Sequence, residues 1–125
     1  MKRYQTVELG DLPPVDCCCG TTRRGFADLP EAPASVHLLN VKDEPTSHYH
    51  KQTAEIYVIL EGKGHLELDG ELIPVKPLSA ILIKPHCRHR AIGQLKLLNI
   101  PVPKHNPDDF FYDETAVATG ETPRH

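Results

Sequence analysis

Along the middle of this chain the apolar residues come in short runs with a period of two, and no segment carries a helical period with capping signals. Ala54–Glu61 (AEIYVILE) is rich in β-branched and aromatic residues and apolar on both faces, which predicts a strand buried on two sides. Ser35–Lys42 (SVHLLNVK) reads as a strand closed by the turn Asp43-Glu44-Pro45-Thr46. His65–Leu68 and Glu71–Val75 flank Asp69-Gly70, a type I′ hairpin signal, and Leu66 and Leu68 alternate with His65 and Glu67. Ala80–Lys84, Arg88–Ile92 and Gln94–Ile100 supply three more strands, with Lys76-Pro77, Pro85-His86 and Gly93 between them.

Residues 1–34 read as an irregular arm, in which Tyr4, Val7 and Leu9 alternate weakly and offer an edge strand. Residues 35–103 form the β-domain. Residues 104–125 read as a polar tail with an aromatic knot at Phe110-Phe111-Tyr112, fraying from residue 114. Seven or eight short strands at this spacing predict an all-β closed barrel or sandwich.

Composition supports this division. Twelve prolines in 125 residues are about twice the average share, and they punctuate turns rather than helices. The net charge of −3 gives no general attraction to nucleic acid or anionic membrane, and the longest apolar run, Ile56–Leu60, is too short to span a bilayer. The N-terminal residues lack the apolar core of a signal peptide. A cytoplasmic location with reduced cysteines is therefore expected. Eight histidines in so small a domain are the unusual count.

The chemistry concentrates at His48-Tyr49-His50-Lys51-Gln52-Thr53-Ala54-Glu55. On an extended chain His48 and His50 point to one face, about 7 Å apart, and Glu55 opens the next strand about 4.8 Å away. A third imidazole is available at His89. Three neutral imidazoles and a carboxylate suit a divalent transition metal (iron, manganese, nickel, zinc or copper) rather than calcium.

His48-x-His50-x₄-Glu55-x₆-Gly62 resembles the first motif of the cupin superfamily, and Pro85-x₃-His89 resembles the core of its second. The resemblance spans about residues 35–100 and includes the order of strands. It implies a double-stranded β-helix, the jelly-roll barrel of a small single-domain cupin, with His48, His50, Glu55 and His89 as metal ligands. Two departures concern turns. Leu78-Ser79 stands where the family usually carries Gly-Asp, and His86 stands where a glycine usually follows the proline. The asparagine usual after the last histidine is also absent.

Other residues are weighed against that centre. Tyr57 and Ile59 share the face of Glu55, which makes Tyr57 a candidate catalytic and substrate-binding residue beside Glu55. Leu95, Leu97 and Asn99 share a face of the last strand, placed inward because Lys96 on the other face prefers water. His37 is a further candidate for the pocket, and His65 an ordinary strand residue. Cys87, two residues before His89, is expected on the same inward face. Arg23-Arg24 form a candidate clamp for a carboxylate or phosphate. Cys17-Cys18-Cys19 lack the C-x₂₋₄-C spacing of a structural zinc site and are read as a buried or interface loop.

The function expected is that of a metal-binding cupin. It is read as a small-molecule metalloenzyme of dioxygenase, isomerase or lyase type acting on a bidentate ligand such as a carboxylate or sugar. The alternative is a non-catalytic barrel that senses or carries a small molecule or metal. A homodimer is expected because small cupins expose sheet edges that need cover.

Overall fold

A computed structural model describes residues 2–42 and 45–114. The two-residue period produces the strands it predicts. They are β3 (Val36–Val41), β5 (Ala54–Glu61), β6 (Gly64–Leu68), β7 (Glu71–Val75), β8 (Ala80–Ile83), β9 (His89–Ile92) and β10 (Leu95–Val102). Four more strands, β1 (Val15–Cys17), β2 (Gly20–Gly25), β4 (His48–Tyr49) and β11 (Phe111–Tyr112), come from segments too short or too polar to show a period. Two antiparallel sheets result, in the orders β1-β2-β3-β10-β5-β8 and β11-β4-β9-β6-β7. Facing each other, they make a jelly-roll barrel.

The core lies between the sheets. Ile59, Leu66 and Leu97 are fully buried, with Leu39, Val41, Tyr57, Val75, Ile83 and Leu95 around them. Leu95 and Leu97 point inward as their alternation with Lys96 predicts. Strand β5 does not have two buried faces: Glu55, Tyr57 and Ile59 are buried, whereas Ile56 and Leu60 are 38% and 37% exposed. Its apolar outer residues belong to the outside of the six-stranded sheet.

Residues 2–34 carry more regular structure than the arm expected. The edge strand anticipated over Tyr4–Leu9 is absent, and Leu9–Asp11 form a 3-10 turn instead. Val7 and Leu9 lie on the outer sheet face above Gly25, where an added Cβ would meet Leu9 Cδ2 at 2.8 Å and Val7 Cγ1 at 3.1 Å. Burial of these side chains against the sheet face replaces edge pairing.

Turn geometry follows the residues that permit it. Asp69 and Gly70 both have positive φ, as a type I′ hairpin requires. Leu78 and His86, the residues found where the resemblance expects glycine nearby, have φ of 74° and 73°. The backbone thus keeps left-handed turns at which these two side chains are strained.

Candidate metal centre

Strand β4 brings His48 in, and the chain just beyond it brings His50. Strand β5 carries Glu55, and β9 carries His89 directly across from His48. The ligand atoms of these four side chains all lie within 4.8 Å of one another. Nε2 of His50 and Nε2 of His89 each sit 3.0 Å from Oε1 of Glu55.

Main-chain carbonyls set the tautomers. Nδ1 of His50 donates to Asp109 O at 2.5 Å, and Nδ1 of His89 donates to Cys87 O at 2.9 Å. Nδ1 of His48 faces Thr46 O at 3.4 Å. A carbonyl only accepts, so Nδ1 carries a proton in each ring, and the neutral imidazole then presents its lone pair at Nε2. Backbone orientation of this kind is usual for metal-binding imidazoles. Nε2 of His50, Nε2 of His89 and Oε1 of Glu55 are buried and make no well-aligned hydrogen bond. Lone pairs this close repel unless a cation or a proton lies between them, so the donor set fits a divalent transition metal.

Titration behaviour agrees with mutual neutralisation. Burial raises the Glu55 pKa, but contacts with His50 and His89 more than offset it and hold Glu55 well below the usual carboxylate range. Burial lowers the His50 pKa, and the Glu55 carboxylate reverses that and raises it. His48 is kept neutral, first by burial and then by His89. Phe110 stacks on the His48 ring with centroids 4.6 Å apart, and Tyr57 meets the His89 ring edge-on at 6.2 Å.

A cavity of about 80 Å³ adjoins the centre. His37, Tyr57, Asn99 and Arg24 line it together with His48, His50 and Glu55, so these expected pocket residues do gather there. Arg23 does not. Adjacent residues of β2 face opposite ways, and its guanidinium binds Gly10 O and Leu12 O at 2.5 and 2.7 Å instead. Cys87 also lies off the cavity. It sits in the turn before β9, where period-two alternation does not apply, and its thiol is close to Asp69 and Arg88. His86 is in the same turn, its ring stacked toward Tyr49 and its N–H bonded to His50 O at 2.7 Å.

Several residues are at the centre without having been expected there. Cys17, Cys18 and Cys19 all line the cavity, because Cys18 and Cys19 form the turn between β1 and β2 and that turn bends over it. The Sγ atoms of Cys18 and Cys19 are 3.1 Å apart. His105 lines the cavity as well. Asp109 lies behind the centre and receives the N–H groups of Lys51, Gln52 and Thr53 and the Thr53 hydroxyl, at 2.8 to 3.0 Å. That fixes the chain between His50 and Glu55. The segment 104–113, expected as part of a polar tail, thus builds one side of the site; residues 115–125 lie outside the described residues. The aromatic run at 110–112 was the signal in the sequence that this segment packs.

A jelly-roll barrel enclosing three imidazoles and one carboxylate defines a small β-barrel protein with a candidate metal centre. The chain belongs to the cupin family, whose Cupin domain matches residues 35–100. An uncharacterised protein of Methanocaldococcus jannaschii is 39% identical over 76 residues, covering 58% of this chain and 61% of its own length. The crystal structure of a protein from Planctomyces limnophilus superposes with a TM-score of 0.82 at 33% identity, covering 87% of this chain and 96% of that one. The Streptomyces nucleoside dehydratase Pac13, also solved with uridine, shares the fold, with a TM-score of 0.74 at 16% identity over 91% of this chain and 97% of its own.

Proposed function

We propose that this protein is a metal-dependent cupin enzyme acting on a small molecule, with His48, His50, Glu55 and His89 as ligands of a divalent transition metal. The observation that carries the reading is the convergence of Nε2 atoms and Oε1 at 3.0 Å with their Nδ1 positions tied to main-chain carbonyls. A metal there would supply Lewis-acid or dioxygen chemistry to a ligand in the cavity.

The chain's own residues then divide the work. Glu55, held ionised, serves as ligand before it serves as base. Burial, then the Glu55 charge, pushes the Tyr57 phenol well above its ordinary range, so Tyr57 keeps its proton and acts as a hydrogen-bond donor. Burial, then His105, lowers the His37 pKa to about 4, so its imidazole stays neutral at pH 7 and acts as a hydrogen-bonding group rather than a base.

We extend the proposal to a cytoplasmic homodimer. Among the described residues no helix is long and apolar enough to cross a membrane. The outer face of the six-stranded sheet carries aligned apolar rows, Leu38-Leu98-Val58-Ala80 and Ile100-Ile56-Leu82. Lys96 and Glu61 pair at one end, so a two-fold-related copy meets complementary charges there.

Elemental analysis of protein purified without chelator tests the centre. Roughly one metal ion per chain is expected for a four-ligand site, and none after His48→Ala together with His89→Ala. Unchanged occupancy in that double variant refutes the ligand assignment.

A further inference from the structure

One wall of the cavity is a single cross-strand row. Arg24 on β2 lies opposite His37 on β3, His37 opposite Asn99 on β10, and Asn99 opposite Tyr57 on β5. All four line the cavity, so the row runs inward from its mouth to the strand that carries Glu55. Arg24 is exposed at the mouth, whereas His37 and Tyr57 are buried.

His105 closes the row from the C-terminal segment. Its ring stands edge-on to His37 with centroids 5.2 Å apart, and its main-chain N–H donates to Ser35 Oγ, the atom that also bonds His37 Nε2 at 2.9 Å. Ser35 thereby orients the His37 ring and anchors the His105 main chain beside it. Apart from the metal-centre atoms, two polar side-chain atoms of the lining have no protein partner, the Thr22 hydroxyl Oγ1, which can donate, and Asn99 Oδ1, which accepts, and Thr22 is only 3% exposed. Buried polar atoms left this way call for a ligand or water.

Charge and size narrow the ligand. Glu55 is the one carboxylate among the lining residues, and it is already engaged by His50 and His89. Arg24 is permanently cationic and presents a planar fork suited to a carboxylate. A cavity of about 80 Å³ holds about three water molecules, which excludes a nucleoside or a hexose from full enclosure.

We propose that Arg24, His37, Asn99 and His105 form a carboxylate-binding wall, and that the ligand is a compact acid of about two to four carbons. A second oxygen beside the carboxylate, as in a 2-oxo acid or a dicarboxylate, reaches the His48/His50/Glu55/His89 centre. That second contact rests on the metal reading above; the wall itself does not.

The test titrates metal-analysed protein with pyruvate and oxalate, and with the uncharged counterparts pyruvamide and oxamide, by calorimetry. The acids are expected to bind more tightly than the amides. Arg24→Gln is expected to weaken acid binding about tenfold or more without changing amide binding or metal content. Arg23→Gln, on the opposite face of the same strand, is expected to leave acid binding unchanged. His105→Gln provides a second disruption of the wall and is expected to act in the same direction as Arg24→Gln. Equal binding of acids and amides, or acid binding indifferent to Arg24→Gln and His105→Gln, overturns the proposal. Acid binding that depends on Arg24 and is equally tight with and without metal sustains the wall and refutes the contact to the metal centre; bound metal without acid binding sustains the metal centre and overturns the wall.

Discussion

The His50 imidazole is oriented by the main-chain carbonyl of Asp109, 59 residues further along the chain, at 2.5 Å. The Asp109 carboxylate simultaneously holds Lys51, Gln52 and Thr53, the residues that lead to Glu55. One residue outside the ligand set therefore positions two members of it.

Asp109→Ala is expected to strip acceptors from three main-chain donors and a hydroxyl. Losing such buried partners costs about 3 kcal/mol in total, and outer-shell losses weaken metal affinity about 10- to 100-fold. Urea unfolding and a competitive chelator titration measure the two effects. Unchanged metal affinity in the folded variant counts against the positioning role.

Leu78 and His86 occupy left-handed backbone with φ of 74° and 73°, and both are exposed. Leu78→Gly and His86→Gly are each expected to stabilise the fold by about 0.5–1 kcal/mol, because relief of the Cβ clash outweighs glycine's entropy in the unfolded chain. Thermal unfolding of the two single variants decides it; a lowered midpoint for both refutes the strain argument.

His37 has a pKa of about 4 in the folded protein, lowered first by burial and then by His105. In the unfolded chain it titrates near 6.5. Between these values the unfolded state binds the extra proton, so stability is fully present above about pH 6.5 and falls as the pH drops toward 4. The loss assignable to this group reaches about 3 kcal/mol at the lower end. Denaturant midpoints of wild type and His37→Gln at pH 7 and pH 4.5 should differ in slope, the variant losing less on acidification. Parallel losses in the two proteins would show that His37 does not carry the effect.

Leu82 is 60% exposed at the edge-strand end of the apolar outer rows, beside Ile56. Burial of such rows against a second copy provides the hydrophobic part of a stable interface. Sedimentation at micromolar concentration is expected to give a dimer for the wild type and a monomer for Leu82→Arg. A wild-type monomer ends the dimer proposal, and a dimer unaffected by Leu82→Arg moves its interface elsewhere.

The local part of this protein was legible in its residues. Alternation of apolar and polar positions specifies seven strands because side chains on a strand alternate between core and solvent whatever the partner. Asp69-Gly70 specifies its hairpin because only certain residues tolerate positive φ there. His48, His50 and Glu55 lie within eight residues, so their spacing alone suggested a shared centre.

Tertiary structure decided what depends on contacts between distant segments. Whether the outer residues of β5 were covered could not follow from their hydrophobicity, and Ile56 and Leu60 prove exposed. Arg23 and Arg24 are indistinguishable by type, yet the pairing of β2 with β3 sends one outward and the other to the cavity. Cys17–Cys19, His105 and Asp109 have no shared spacing with the histidine motif. Sheet closure brings them to it, because a barrel's wall is assembled from strands far apart in sequence, and the apolar core at Ile59, Leu66 and Leu97 fixes which of their residues face inward.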